Sequence, residues 1–280
     1  MQLEIIIPAH NEQHRISDTL DAYSAAFDNR DVSFVVAMDD CTDSTAELVT
    51  KHQTADPRVR ATDYPRLGKG GVLAEAFRNS QADYVAFVDA DGATPPSELR
   101  RLVDICQNLD SDLAIASRYH PASVLPARRS RLRRLTARSF AFAVRHLFGL
   151  PYADTQCGAK VLRRSAAQRL TPLLSTRDFV FDVDLLFTAR QLGLSVAEVP
   201  TVWLDRQGSR MSTSRDSARM AASLALLWLR NRIVPVQLPS AQVVALPDHG
   251  SERAAAQATR RTLTDVRRES RTQRRWHRVA

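Results

Sequence analysis

The sequence is poor in cysteine and contains no long apolar run. Its three cysteines, Cys41, Cys106 and Cys157, are odd in number and lack the spacing of a metal site or a disulfide framework. We therefore expect a reducing, cytoplasmic compartment. The longest apolar stretch near the C-terminus, residues 220–229, is far shorter than the roughly 20 residues that a spanning helix needs. No charged region precedes the first apolar run, so we expect neither a signal peptide nor a spanning helix.

Lysine is scarce, and one long stretch has no acidic residue. Three of the 39 basic residues are lysines, namely Lys51, Lys69 and Lys160. We attribute this bias toward arginine to overall composition. Between Asp112 and Asp154 there are eight arginines and no acid, and from residue 236 onward nine arginines stand against four acids. Much of the net charge of +8 therefore lies in two basic segments.

Short apolar runs alternate with helical patterns in the first half of the chain, which is typical of βαβ units on a parallel sheet. Predicted strands cover 3–7, 32–38, 59–64, 83–89, 112–117, 158–164 and 195–204. Predicted helices cover residues 12–27 and 72–80, and a further helix runs from the N-cap Thr94 to Asn108. A helix of about ten residues is predicted to begin at a capping box formed by Ser44 and Glu47. Later in the chain we predict a basic amphipathic helix over 127–150 and a helix that ends at Gly193. We expect an α/β domain over 1–235 and a basic, Arg-rich tail over 236–280 that is helical or disordered.

Polar residues follow four successive predicted strands, where ligands bind in parallel sheets. These residues are Pro8, Asn11 and Glu12, then Asp39 and Asp40, then Lys69 and Gly70, then Asp89 and Asp91. Two carboxylates separated by one residue can reach one divalent ion that also bridges a diphosphate. The bland alternative is that they only begin a turn before Gly92. The GKGG segment is able to hold a phosphate on a helix N-terminus, although glycine before a helix is also ordinary turn chemistry.

The order of these motifs resembles a known family. IIPAHNE, DDCTDST, GKGG and FVDADGATPPSEL resemble the inverting GT-A glycosyltransferases of family 2, and IASRY, DTQCGAKVLRR and FDVDLLFTARQLGLSVAEVPTVWLDRQGS resemble its branch of dolichyl-phosphate β-glucosyltransferases and polyprenyl-phosphate glycosyltransferases. The resemblance covers about residues 3–230. It implies the GT-A (nucleotide-diphospho-sugar transferase) fold, a mostly parallel central sheet flanked by helices. It also implies metal-dependent transfer of a hexose, glucose by the branch, from a nucleoside-diphosphate sugar to a polyprenyl phosphate.

The resemblance assigns donor and metal residues. Pro8, Asn11, Glu12 and either Asp40 or Asp39 fall on the nucleoside, and UDP-glucose is favoured over GDP-mannose. Asp91 is implied as the main ligand of Mg²⁺ or Mn²⁺, with Asp89 as a second ligand or ribose contact. Ala93 stands where related mannosyltransferases often have a glutamine, so water or another side chain has to complete the metal shell.

The acceptor decides what further chemistry is needed. An alcohol needs a carboxylate base, for which Asp182 and Asp184 are the candidates, and Asp182 matches the acidic position of the family. A phosphate monoester is already an anion and needs cations instead. By resemblance we place Arg118, Arg131 and Gln156 on the acceptor. The basic helix suits the inner, cytoplasmic face of a membrane, or its arginines simply solvate one face of the helix.

Two alternative functions remain, one within the same class of enzyme and one in a different class of protein. A soluble small-molecule acceptor keeps the fold and the donor. A nucleic-acid-binding protein would need aromatic residues interleaved with the arginines, yet the tail has only Trp276. A sugar nucleotidyltransferase is disfavoured because the first loop, PAHNE, is not glycine-rich, and neither a dinucleotide fingerprint nor a P-loop is present.

Overall fold

The computed structural model describes residues 1–28, 31–125, 131–204, 215–233, 242–244 and 246, as one sheet with helices on both faces. The strands are β1 Leu3–Ala9, β2 Val32–Asp39, β3 Val59–Tyr64, β4 Tyr84–Val88, β5 Leu113–Ser117, β6 Ala159–Arg163, β7 Ser195–Pro200 and β8 Gln242–Val244. The helices are α1 Ile16–Ala26, α2 Thr45–Ala55, α3 Gly68–Asn79, α4 Pro96–Asn108, α5 Arg131–Phe148, α6 Arg164–Leu170, α7 Phe181–Gln191 and α8 Arg215–Ile233, with a 3₁₀ turn at Thr171–Leu173.

The strand order is β3-β2-β1-β4-β6-β5-β7-β8. Only β6 among these strands runs antiparallel to its neighbours, β4 and β5. This confirms the predicted α/β fold with a mostly parallel sheet. The chain leaves β1 toward β2 on one side and returns to β4 on the other, so a crevice opens beyond the carboxyl ends of β1 and β4. Ligands bind at such switch points in open α/β sheets.

The sheet is buried on both faces, which explains the continuous apolar run at the start of the chain. Ile5 and Ile7 of β1 point into one core with α1 and α4, and Ile6 points into the other core with α3 and α7. All three side chains are fully buried. The site-bearing loops therefore leave a rigid, two-faced sheet.

Several local expectations need correction. Pro95, not Thr94, is the N-cap of α4, and the buried hydroxyl of Thr94 has no hydrogen-bond partner. Ser44 is the N-cap of α2, but the capping box does not form because its side chain makes no capping hydrogen bond, and Asp43 accepts the N–H of Thr45 instead (3.0 Å). Helix α1 begins at Ile16, four residues later than predicted.

Three elements were not predicted. They are α6, α8 and β8. Strand β8 pairs in parallel with β7 and lies inside the segment 236–280 that was expected to be helical or disordered, so Gln242–Val244 differ from that prediction. The remainder of the segment, apart from Leu246, lies outside the described residues. The domain division at residue 235 stays a prediction.

Candidate active site

The loop after β4 carries two carboxylates at the carboxyl edge of the sheet. Asp89 follows the last residue of β4, and the carboxylate of Asp91 turns back to accept the N–H of Ala93 (2.9 Å). Between them and α4, Gly92 adopts a φ of +65°, a conformation that favours glycine. The two acids therefore leave the same turn at the end of a buried strand.

Helix α1 fixes this turn from behind. The hydroxyl of Thr19 donates to the carbonyl of Ala90 (2.8 Å), and the hydroxyl of Tyr23 donates to the carbonyl of Thr94 (3.0 Å). Both side chains are buried. Burial raises the pKa of Tyr23, so its hydroxyl keeps its proton and remains a donor. The position of the carboxylates thus depends on the packing of α1 as well as on β4.

The two acids are unequally compensated. Asp89 pairs with Lys69 of α3, with 2.8 Å between Nζ and Oδ1. Burial, and then the neighbouring charge of Asp89, raise the pKa of Asp91. A half-buried carboxylate beside another carboxylate is under-neutralised, and a cation is the natural way to offset it. This arrangement is compatible with a metal site, and the ligand roles of Asp89 and Asp91 stay a prediction.

Gly158, at the start of the segment that leads into β6, touches Asp89 directly. A β-carbon built on Gly158 would lie 1.8 Å from Oδ2 of Asp89, and the carbonyl of Gly158 accepts the N–H of Asp89 (3.1 Å). Only glycine therefore permits this approach. The glycine of DTQCG is a part of the site that sequence reasoning did not single out, although its motif was recognised.

The donor set fits a hard divalent ion, which prefers oxygen ligands. Two carboxylates would leave coordination positions for diphosphate oxygens and water. Among the described residues no third His, Cys, Asp or Glu joins them. Ala93 adds nothing: its side chain is buried, and its carbonyl accepts the N–H of Leu204 (2.9 Å).

Asp39 and Asp40, at the end of β2, have different surroundings. Asp39 is buried, and its carboxylate accepts the N–H groups of Leu67 (2.6 Å) and Gly68 (3.1 Å). Asp40 is exposed and has a φ of +52°. Asp39 thus fastens the turn before α3, and Asp40 is the one whose carboxylate faces out at the sheet edge.

Asn11 and Glu12, after β1, are held by neighbouring groups. Asn11 has a φ of +57°, and its side-chain oxygen accepts the N–H of Thr42 (2.7 Å). Glu12 forms two hydrogen bonds with Arg15, at 2.7 and 2.8 Å. Pro8 is half-buried within β1. The loop after β1 is therefore held against the loop after β2 by contacts within the protein itself.

His10 and Arg66 also reach this edge, and neither was predicted as a site residue. Nδ1 of His10 lies 2.5 Å from the carbonyl oxygen of Asp39, and Arg66 lies 3.1 Å from Nε2 of the same ring. A proton on Nδ1 satisfies both contacts. The arginine comes from the loop after β3, so only the fold reveals that it meets the first loop.

The prediction for Gly70 needs correction. Its N–H donates to the carbonyl of Arg177 (2.9 Å), and a β-carbon there would lie 2.6 Å from Cβ of Phe181. The N–H group is therefore not available to a phosphate. The glycines of GKGG instead let the start of α3 pack tightly on the segment before α7. Lys69 alone in this turn projects to the carboxylates.

The structure also separates the two candidate bases. Asp184 is buried and holds the segment before α7, because one carboxylate oxygen accepts the N–H and hydroxyl groups of both Ser175 and Thr176 at 2.8–3.1 Å. This geometry gives Asp184 a structural role and does not support its assignment as a catalytic base. Asp182 is buried between two ammonium groups, 2.5 Å from Lys160 and 3.6 Å from Lys69.

The predicted acceptor residues meet different outcomes. Arg118 makes a bidentate pair with Asp154, at 2.6 and 2.9 Å, and its guanidinium lies over the Trp203 ring. The guanidinium of Arg118 is therefore engaged in an internal pair, and its contact with an acceptor phosphate stays a prediction. Gln156 donates to the carbonyl of Phe179 (3.0 Å) and bridges to the segment before α7. Arg131 begins α5, and its side chain lies outside the described residues.

Comparison with known proteins places this geometry in a family. The Glycosyl transferase family 2 pattern matches residues 4–171. A dolichyl-phosphate beta-glucosyltransferase of Dictyostelium discoideum is 34% identical over 242 residues, which are 81% of this chain and 74% of that protein. The protein of that name from Drosophila melanogaster is 30% identical over 258 residues, which are 86% of this chain and 79% of that one.

Solved structures resemble the fold. Glucosyl-3-phosphoglycerate synthase from Mycobacterium tuberculosis in complex with UDP has a TM-score of 0.63 and 22% identity, covering 84% of this chain and 82% of that one. The same enzyme with Mn²⁺, UDP and phosphoglyceric acid has a TM-score of 0.62 and 21% identity, covering 85% and 80%. Because the family pattern matches more than half of the chain and two relatives reach 30% identity over most of it, the chain belongs to glycosyl transferase family 2 and is a glycosyltransferase with the GT-A fold.

Proposed function

We propose that the protein transfers glucose with inversion from UDP-glucose to a polyprenyl phosphate, using Mg²⁺ or Mn²⁺. The observation that carries the choice of acceptor is the state of the two candidate bases. One oxygen of Asp184 accepts four hydrogen bonds, and Asp182 is enclosed by two lysines. A phosphate acceptor is already an anion near neutral pH and needs no base. The similarity to enzymes named for dolichyl phosphate and glucose points the same way.

Donor binding is assigned to the edge formed by the first two loops and the β4 turn. Asp40 presents an exposed carboxylate for the nucleoside, and we assign Pro8, near the end of β1, and Asn11, in the loop that follows, to the same ligand. Asp91 and Asp89 would hold the divalent ion, which neutralises the charge that grows on the departing diphosphate. The neighbouring solved structures contain UDP with Mn²⁺ or Mg²⁺, which supports this donor class.

The acceptor lipid implies contact with a membrane surface. Among the described helices none is long and apolar enough to cross a membrane. Exposed apolar side chains do stand on α5 and α8, with Phe142 63% and Leu226 67% exposed. Arginines accompany them, and α5 contains no acid. Such a surface suits peripheral binding to anionic lipid on the cytoplasmic leaflet.

One assay tests the donor and the acceptor together. The protein is incubated with Mg²⁺ or Mn²⁺ and labelled UDP-glucose or GDP-mannose, with polyprenyl phosphate, with phosphoglyceric acid, or with no acceptor. We expect label in the organic phase only with UDP-glucose and polyprenyl phosphate. Label on phosphoglyceric acid alone would favour a soluble acceptor, of the kind that is bound in a similar solved structure. Donor hydrolysis without transfer in any arm would contradict the proposal.

A further inference from the structure

Two of the three lysines in the chain converge on one buried carboxylate. Lys160 lies near the start of β6 and Lys69 near the start of α3. The ammonium groups of both approach the carboxylate of Asp182. The third, Lys51, is exposed on α2. In a chain that uses arginine almost everywhere else, lysine at both places indicates a need for a compact point charge, because a guanidinium is larger and planar.

The contacts of Lys160 are entirely internal. Its side chain is fully buried, and Nζ donates to Oδ1 of Asp182 (2.5 Å) and to the carbonyl of Cys157 (2.8 Å). The ring of Phe87 lies beneath it, with 5.3 Å from Nζ to the ring centroid. A buried ammonium is costly to desolvate, so its place is set by the carboxylate that it neutralises.

Lys69 is placed between two acids and favours one of them. Its Nζ lies 2.8 Å from Asp89 but 3.6 Å from Asp182, and 5.6 Å from the centroid of the same Phe87 ring. The charges therefore alternate in the order Lys160, Asp182, Lys69, Asp89. Lys69 thus lies closer to Asp89 than to Asp182, whose Oδ1 is held by Lys160.

We propose that Lys160 is a positioning residue: by neutralising Asp182, it leaves the ammonium of Lys69 to Asp89 and so fixes that carboxylate beside Asp91. The inference rests on the proposed function only for the role of Asp89 as a ligand of the donor's metal. Without Lys160, Asp182 would be a buried charge with Lys69 as its remaining close cation. Lys69 would then move to Asp182, and Asp89 would lose its partner.

A double variant that removes the charges of both Lys160 and Asp182 distinguishes a positioning role of Lys160 from a contribution to stability alone. In Lys160→Met, we expect kcat/KM for the donor to fall about tenfold or more per folded molecule, a size typical of misplaced catalytic groups. In Lys160→Met/Asp182→Asn, Asp182 no longer competes for Lys69, and kcat/KM should return to within about threefold of the parent. Lys51→Met is the matched lysine control and should change nothing. Thermal unfolding of each variant sets a temperature at which all are folded.

The scarcity of lysine allows a direct measurement without any substrate. Isotope labelling of lysine side chains should give three ammonium environments, whose NMR signals the three Lys→Met variants assign. We expect the Lys69 signal to shift in Lys160→Met and to return in the double variant, while the Lys51 signal stays fixed. Mn²⁺ binding in the presence of UDP, followed by electron paramagnetic resonance, should weaken in Lys160→Met and recover in the double variant.

Two results would overturn the inference. One is a Lys69 signal that does not respond to Lys160→Met, since Asp182 would then not compete for that ammonium. The other is a double variant with the activity and Mn²⁺ binding of Lys160→Met. If instead the Lys69 signal responds as expected but the parent protein transfers no sugar to polyprenyl phosphate, the proposed function fails and the positioning of Lys69 stands.

Discussion

A single missing methyl group determines where one carboxylate of the site can lie. Gly158 gives Asp89 the space that any other residue would fill, since even a β-carbon would come within 1.8 Å of the carboxylate. Interiors are packed too closely to absorb such an overlap without movement. The DTQCG motif therefore contributes space to the site, and the β4 turn contributes charge.

Substituting Gly158→Ala should displace Asp89 and reduce metal-dependent transfer at least tenfold, with about 1–3 kcal/mol lost from the free energy of unfolding by overpacking. Steady-state rates at varied Mn²⁺ concentration measure the first effect, and denaturant unfolding measures the second. Gly149→Ala is the control, because Gly149 has a φ of +61° and meets Arg190 at the end of α5, away from the carboxylates. Equal rate losses in both variants would show that the effect is only one of stability.

The neighbouring aspartates of β2 should separate binding from folding. Asp40→Asn keeps a residue that tolerates a positive φ but removes the charge, so we expect KM for UDP-glucose to rise about tenfold without loss of stability. Asp39→Ala leaves the N–H groups of Leu67 and Gly68 without an acceptor and should cost about 1–3 kcal/mol of unfolding free energy. Steady-state kinetics and denaturant unfolding of both variants provide the comparison. The reverse pattern would place Asp39 on the nucleoside.

The sequence predicted which acidic residues lie near the site, but it did not predict their hydrogen-bond partners. Asp89, Asp91 and Asp40 stand at the sheet edge as strand-end acids should. In the sequence alone, Asp184 is an equally good candidate for a catalytic base. In the structure, one of its carboxylate oxygens accepts hydrogen bonds from Ser175 and Thr176, nine and eight residues earlier. Such contacts depend on how a loop folds back on a helix, which no periodicity in the sequence records.

At the level of elements, the site is held by the packing of α3 on the segment before α7. Gly68 and Gly70 bring the start of α3 against the carbonyl of Arg177, and Asp184 holds the same segment from the side of α7. The two helices thereby present Lys69 and Asp182 to one another. The glycine-rich turn works as a close-packing surface between elements.

Asp184 should therefore affect stability more than chemistry. Asp184→Ala should lower the free energy of unfolding by about 1–3 kcal/mol, because buried N–H groups of Ser175 and Thr176 lose their acceptor. Asp184→Asn keeps one acceptor oxygen, and we expect its kcat per folded molecule to stay within about threefold of the parent. Loss of a general base would instead lower kcat by about 10²–10⁴. A loss of that size in Asp184→Asn at full folding would restore it as a catalytic candidate.

Elements with a strong pattern were predictable, and elements defined by contact were not. Strands β1 and β2 declare themselves as apolar runs buried on both faces. Strand β8 has only three residues, and it is defined by its parallel pairing with the edge of β7 rather than by a pattern in its own sequence. The antiparallel direction of β6 is likewise invisible in its sequence, because strand patterns carry no direction.

At the scale of the whole molecule, two of the described helices, α5 and α8, carry apolar side chains that are not buried in the core. Phe142 of α5 and Leu226 and Leu229 of α8 are exposed, although both helices pack their other sides on the core that contains Val144 and Leu224. A groove of about 630 Å³ separates the ends of these helices. An apolar, basic face of this kind is what a lipid acceptor at a membrane would require.

Phe142→Ser/Leu226→Ser should weaken binding to vesicles that contain anionic phospholipid by about tenfold, since each apolar side chain contributes buried area at the interface. Flotation or sedimentation with vesicles measures the change. Leu173→Ser, another exposed leucine, serves as the control. Transfer to a short, water-soluble polyprenyl phosphate should be unchanged. Undiminished vesicle binding would exclude this face as the membrane contact.

The central claim is that Asp91 and its metal drive transfer of glucose to polyprenyl phosphate. The most direct measurement is the rate of label transfer from UDP-glucose to the organic phase, for the parent protein, Asp91→Asn and the exposed-acid control Asp104→Asn. We predict Mg²⁺- or Mn²⁺-dependent transfer by the parent and the control, abolished by chelation and reduced about 100-fold or more in Asp91→Asn. Full transfer by Asp91→Asn, or transfer that is indifferent to chelation, would contradict the account.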